Sequence, residues 1–154
     1  MVELMHAKFA TTADVASWLE IVGEVEPLFG PMPHFETTLF RKIDRRAALC
    51  VRSDNQHDSA FVLGGVLLGG APPHGWIRWL AVRSSARRIG IGQCLVEEAV
   101  KRLAASNSIS LDTFRETNKE GQPARRLYER LGFLPGPMTE VGGLPRQRYT
   151  LTLA

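Results

Sequence analysis

Arg87, Arg88, Gly90 and Gly92 stand between an apolar stretch that reads as a strand, Trp76 to Val82, and one that reads as a helix, Ile91 to Ala105. The chemistry this spacing offers is anion binding. A helix start leaves about four backbone N–H groups unpaired, and the aligned peptide dipoles add roughly half a positive charge there. Glycines at 90 and 92 let the backbone approach a ligand, because no Cβ intervenes and positive φ is cheap. Oriented N–H groups beside two guanidinium charges favour a phosphate or pyrophosphate. Two better-known phosphate loops do not fit. No Gly-Lys pair occurs in the chain, which excludes a Walker loop, and Leu95 stands where the dinucleotide fingerprint requires its third glycine.

The run Arg87-Arg88-Ile89-Gly90-Ile91-Gly92 resembles the pyrophosphate-binding motif of the GNAT N-acetyltransferase superfamily, Arg/Gln-x-x-Gly-x-Gly/Ala. Downstream, Ala124-Arg125-Arg126-Leu127-Tyr128-Glu129-Arg130-Leu131-Gly132-Phe133 resembles that superfamily's Ala-x-x-Leu-Tyr-x-x-Leu-Gly-Phe signature. Two short motifs in this order, on the right elements, are far more specific than either alone. The resemblance covers nearly the whole chain. It implies one domain over residues 1–154 with a GNAT-type α/β (α+β) fold: a central mixed, mostly antiparallel sheet of six to seven strands, a parallel fourth and fifth strand, and about four flanking helices.

The same resemblance implies acetyl-CoA as cosubstrate, with the acetyl group passing directly to a primary amine and no acyl-enzyme. Backbone groups of Leu80 and Val82 would pair with pantetheine. The amides of Arg88, Ile89, Gly90, Ile91, Gly92 and Gln93 would hold the pyrophosphate, with Arg87 and Arg88 beside it; fixed amides hold still while guanidinium forks add charge and a bidentate grip. Tyr128 matches the general acid that protonates the departing thiolate, and a phenol with a reference pKa near 10 is protonated at neutral pH. One departure stands out: Gly121 occupies the place of a cofactor-contacting asparagine, and Asn118, three residues earlier, is the candidate substitute.

These residues need elements to position them. A first strand is expected over Glu3 to Phe9, then a helix from about Ala13 to Val22 with Val15, Trp18, Leu19 and Val22 on one face. Glu24 to His34, with Pro27, Gly30, Pro31 and Pro33, reads as a stiff apolar loop. A second helix is expected over Phe35 to Arg45 and a second strand over Ala47 to Arg52. Ser53 to Ser59 reads as a polar turn, Phe61 to Leu68 as a third strand, and Gly69 to Gly75 as a further turn. The fourth strand, apolar at most positions of both parities, belongs in the middle of a sheet. Its helix buries Ile91, Leu95, Val96, Ala99, Val100 and Leu103, and a crossover of that length places the fifth strand, Ser108 to Phe114, parallel to it. Pro123 opens a short helix that runs to Leu131, with Gly132 after it. Phe133 begins a sixth strand, bent at Pro135-Gly136-Pro137, and the last strand, Arg146 to Leu153, alternates so that one face is wet.

A chain of 154 residues with 44% apolar and 23% charged residues suits one ordinary globular domain and excludes disorder. The net charge of +3 gathers in three clusters, Arg83/Arg87/Arg88, Arg125/Arg126 and Arg146/Arg148, which suit a compact polyanion. Without a long basic run interleaved with aromatics, a nucleic-acid partner is not expected. Arg83 reads as a solubilising surface residue, and His74 as exposed. Two cysteines, Cys50 and Cys94, have neither Cys-x-x-Cys spacing nor a histidine at metal-site distance, so no metal is expected and buried packing is. The longest apolar run, Ala60 to Ala71, is 12 residues and broken by glycines, too short for a membrane span, and nothing at the amino end reads as a signal peptide, so the expected location is cytoplasmic.

Phe29, Met32, Phe35 and Trp18 suggest an acceptor pocket with apolar walls for a small-molecule or peptide amine. Glu24, Glu26, His34, Glu36, Asp112 and Glu140 are candidates to accept the amine proton. A homodimer is compatible with the sequence. The competing function on the same fold is a non-catalytic acyl-CoA sensor or interaction domain, which the presence of Tyr128 argues against.

Overall fold

In a computed structural model, which describes residues 5–53 and 61–153, the described part of the chain forms strands β1 (Ala7–Phe9), β2 (Ala48–Arg52), β3 (Val62–Ala71), β4 (His74–Val82), β5 (Ser108–Thr113), β6 (Leu134–Val141) and β7 (Leu144–Thr152). Its α-helices are α1 (Val15–Phe29), α2 (Phe35–Asp44), α3 (Ile91–Arg102) and α4 (Gln122–Arg130). The strands join one mixed sheet in the order β1-β2-β3-β4-β5-β7-β6. β4 stands in the middle, as its apolar composition requires, and its pairing with β5 is parallel. Residues 3–4 of the expected first strand and 54–59 of the expected polar turn lie outside the described residues.

The chain divides into two compact units, residues 1–68 with 79–101, and residues 69–78 with 102–154. In the first, α1 buries Trp18, Ile21, Val22 and Val25, a stripe at helical spacing. Trp18 lies flat on β3, its Cε2 2.8 Å from where a Cβ on Gly65 would stand. α3 packs equally closely: a Cβ on Gly64 would come within 2.9 Å of Ile91 Cγ2 and 3.2 Å of Leu95 Cδ1. Ile91, Leu95 and Val96 are at most 1% exposed, and each such burial is worth about 1.5–3 kcal/mol. Asp14, fully buried, accepts from the Thr11 N–H at 2.7 Å and from Arg52 Nε and NH2 at 2.8 and 2.6 Å, tying the start of α1 to β2.

Two expectations need correction. α1 does not end at Val22 but runs to Phe29 with Pro27 inside it. The apolar stripe continues through Val25 to Phe29, and burying it outweighs the N–H that Pro27 cannot give. Likewise, no long turn spans Gly69 to Gly75; β3 and β4 extend toward each other until Pro72-Pro73 alone joins them.

In the second unit, β5 and β7 pair antiparallel over six register pairs from Ser108↔Thr152 to Thr113↔Gln147, and β6 covers the far edge of β7. The register of β6 shifts between Pro135 and Met138, as the Pro-Gly-Pro run demands, and Gly142 and Gly143, both at positive φ, close the β6–β7 hairpin. The β4–β5 register covers only His74–Trp76 against Ser108–Ser110, although both strands continue beyond.

Candidate functional site

The turn between β4 and α3 takes the form its glycines announce. Gly90 has φ +93° and Arg88 φ +66°, and such reversals of φ fold successive N–H groups into an anion-binding concavity. Gly92 lies within α3 and has no positive φ, so only one of the two glycines serves the turn conformationally. The first α3 bond runs from the Cys94 N–H to the Gly90 carbonyl at 3.0 Å, leaving the N–H groups of Ile91, Gly92 and Gln93 without a partner in the helix. Arg87, Arg88 and Ile89 are exposed around this opening. Leu80 and Val82 are half-buried, and the Val82 carbonyl, which the resemblance assigns to pantetheine, accepts from Arg87 Nε at 3.3 Å.

Arg83 is the residue that sequence reasoning misplaced. It is 6% exposed, not a surface solubiliser. Its Nε donates to the Val62 carbonyl at 2.8 Å, NH1 to Glu20 Oε1 at 3.0 Å, and NH2 to the Ser17 carbonyl and hydroxyl at 3.0 and 2.9 Å. The guanidinium also lies over the Phe61 ring at 4.2 Å. Next to it, Glu24 accepts from the Ser84 N–H at 2.8 Å and Ser84 hydroxyl at 3.1 Å. α1 therefore holds the exit of β4 at two successive residues and fixes where the turn into α3 begins. The partners Ser17, Glu20 and Glu24 follow the helical repeat on the polar side of α1, a signal that becomes readable only once β4 is known to lie alongside.

Of the expected acceptor walls, Trp18 is core, at 0% exposure, whereas Phe29, Met32 and Phe35 are half-buried around Trp79. Trp79 stacks on Trp18 at 5.9 Å between ring centroids and meets Phe35 at 4.9 Å and Phe29 at 5.9 Å, and its Nε1 donates to Met32 Sδ at 3.4 Å. Sequence reasoning missed Trp79 as the centre of this cluster.

In the second unit, α4 begins with Pro123 in its first turn, and Gly132, at φ +95°, lets the Phe133 N–H return to the Tyr128 carbonyl at 3.0 Å. This places Tyr128 edge-on to Phe133 and 6.3 Å from Tyr149, centroid to centroid. Both rings are buried, but their hydroxyls differ. Tyr149 donates to Glu129 Oε2 at 2.6 Å, and burial, reinforced by that bond, pushes its pKa up to about 12. Tyr128 makes no hydrogen bond to any described residue, and its oxygen is not an occluded one; among the described residues the sole buried side-chain nitrogen or oxygen without a partner is Trp18 Nε1. Burial raises the Tyr128 pKa well above that of an ordinary phenol. Asn118 Oδ1 accepts from the Gly121 N–H at 3.0 Å, so this side chain shapes the loop leading into α4.

The basic clusters separate on inspection. Arg125 is 8% exposed and donates from NH1 to the Phe114 carbonyl and to Gln147 Oε1, a structural role. Arg148 grips Asp112 with both Nε and NH2, at 3.0 and 3.1 Å, while Thr139 donates to the same carboxylate at 3.3 Å, so Asp112 already holds three donors. Glu26, His34, Glu36 and Glu140 are exposed. His74 is exposed as expected and contacts the Ser108 hydroxyl at 3.1 Å. Cys50 is buried, which pushes its thiol up to about 12, and burial raises half-buried Cys94 too, so neither is an activated thiol. Among the described residues no group of three or more His, Cys, Asp or Glu could hold a metal, and no helix is long and apolar enough to cross a membrane.

Comparison with solved structures finds the same fold throughout. The NatC complex bound to Gag peptide and CoA has a chain 18% identical, matched over 99% of this chain and 100% of that one with a TM-score of 0.77. Ard1 from Thermoplasma volcanium is 15% identical over 97% of this chain and 98% of its own, TM-score 0.77. NAA60 from Arabidopsis thaliana, in complex with a bisubstrate analogue, is 14% identical over 98% and 100%, TM-score 0.74. A search of curated protein sequences finds no match. Residues 15–133, which carry the anion-binding turn and Tyr128, match the Acetyltransferase (GNAT) family, and the chain belongs to that family.

Proposed function

We propose that the protein is an acetyl-CoA-dependent N-acetyltransferase that passes the acetyl group to a primary amine of a small molecule or peptide by direct attack. The observation that carries this reading is the Tyr128 hydroxyl, bonded to no described residue and held protonated by burial beside a second tyrosine whose hydroxyl is engaged. A non-catalytic acyl-CoA sensor would need no such donor. As the amine nitrogen bonds to the thioester carbon and the C–S bond breaks, Tyr128 donates its proton to the departing sulfur and regains one from solvent. The amine's own proton leaves to water, and Asp112 and Glu24 hold donors of their own.

The free N–H groups of Ile91, Gly92 and Gln93 fit the diphosphate of the donor, with Arg87 and Arg88 as flanking charges. Leu80 and Val82 offer backbone groups to the pantetheine arm, and Arg87 releases the Val82 carbonyl when that arm binds. The half-buried cluster of Phe29, Met32, Phe35 and Trp79 suits the apolar part of an acceptor. Peptide and CoA in the NatC structure support a peptide acceptor as one form of the substrate. The test is thiol release from acetyl-CoA over a panel of amines, with calorimetry for CoA. Amine-dependent release is expected; CoA binding with no release from any amine would leave the sensor reading in its place.

A further inference from the structure

On the face of the second unit opposite Tyr149, β4, β5 and β7 bring together Trp76, Arg78, Asp112, Arg146 and Arg148. Both Arg78 and Arg148 lie over the Trp76 ring, their guanidinium carbons 4.4 and 4.7 Å from its centroid. The Arg148 charge is met by Asp112. The Arg78 charge is met by no acid: among the described residues its contact is the indole alone, and the residue is exposed. Arg146 lies over the Phe114 ring at 5.2 Å. A guanidinium held over an aromatic ring has already lost much of its freedom, so it gives up little more on gripping a planar anion in bidentate fashion. Position adds to the case. The β4–β5 register ends at Trp76 and Ser110, and Arg78 and Asp112 are the next residues on this face.

We propose that this face takes the carboxylate of an acceptor that carries one near its amine, Arg78 being the residue that selects it. The inference rests on the acetyl-transfer reading above and names the substrate class for it. An amine flanked by an acid would be drawn here, and a polyamine would be repelled by the same charges.

The experiment compares matched acceptors: peptides whose first residue is aspartate or asparagine, free glutamate and its diamide, and spermidine as the cationic control. In the wild type, kcat/KM for the acidic member of at least one pair is expected to exceed its neutral partner at least tenfold, with spermidine lowest, and the preference to shrink as salt rises. Arg78→Gln is expected to bring the acidic acceptor down to the level of the neutral one, and Arg78→Lys to restore part of the difference. Neutral acceptors used as well as acidic ones in both pairs, or a preference that survives Arg78→Gln, overturns the proposal. Calorimetry with the CoA-loaded protein reads the same site without turnover. If no amine is acetylated but the acidic peptide still binds, and Arg78→Gln abolishes that binding, acetyl transfer fails while the carboxylate site stands; no binding of either peptide overturns the site.

Discussion

Arg83 and Arg78 leave the same strand a few residues apart and end in opposite circumstances. Around Arg83 every donor group has an acceptor within 3.0 Å, and the charge works inward, joining α1 to β3 and to the exit of β4. Around Arg78 there is an indole and solvent. A guanidinium surrounded by acceptors is scaffold, whereas one laid on a ring with no acid is a receptor, and the residue type alone does not separate the two. The same contrast recurs between Tyr149, whose hydroxyl is held by Glu129, and Tyr128, whose hydroxyl bonds to no described residue.

The strongest way to break the comparison is to remove the inward charge. Arg83→Met leaves the Val62 and Ser17 carbonyls without their donors and Glu20 without its cation, and is expected to lower unfolding free energy by about 3 kcal/mol. Urea unfolding measures it; a loss under about 1 kcal/mol would show that Arg83 is no scaffold. Weaker CoA binding is expected alongside, since the chain entering the turn is then held to α1 by the Ser84–Glu24 contacts without those of Arg83. Next in size is Gly64→Ala. Its new Cβ would meet Ile91 and Leu95, the first core contacts of α3, and overpacking there is expected to cost about 2 kcal/mol and to loosen CoA in the same calorimetric titration.

That pair of substitutions also marks what the sequence made legible. The Gly90 turn before α3 was readable because it is local: Gly90 and the first turn of α3 depend on neighbours in the chain. The central place of β4, its parallel partner β5 and the Pro123-to-Gly132 helix were readable for the same reason, through apolar pattern and caps. Arg83 was not, because its acceptors belong to α1 and β3, far away in sequence. The length of α1 was not either: Pro27 reads as a breaker, and only the burial of Val25 and Phe29 against the core decides otherwise. Tyr128 was singled out through its motif, but which groups its hydroxyl meets depends on residues far away in sequence, and Tyr149 carried no sign of being the contrasting case.

The tyrosine pair gives the next smaller effect. Tyr128→Phe is expected to slow turnover at least tenfold, about 1.4 kcal/mol of barrier, while leaving CoA affinity in place. Tyr149→Phe should instead reduce stability, as Glu129 loses its donor, and touch turnover less. Equal turnover in wild type and Tyr128→Phe would remove that hydroxyl from the mechanism. Proton linkage sharpens the point. Burial raises the Tyr128 pKa, so the neutral, donating form persists at higher pH than in an ordinary phenol. Turnover should therefore show no decline from loss of this proton up to about pH 10, the range in which a solvated phenol would begin to ionise. A decline that begins near neutrality and disappears in Tyr128→Phe would mean the proton is held less firmly than its burial requires.

The smallest effect bears most directly on the contrast. Arg78→Gln removes a charge whose sole described contact is one face of Trp76, so unfolding free energy is expected to move by no more than about 0.5 kcal/mol. Against the loss at Arg83 this is a difference of severalfold between an arginine on β4 and one just past its end. A loss approaching that of Arg83→Met would show that the stack on Trp76 is itself scaffold, placing both guanidiniums in one class. A change within the expected limit means that the fold does not require the charge on Arg78, and a change in acceptor preference in that same variant then reports on binding at Arg78, not on a weakened protein.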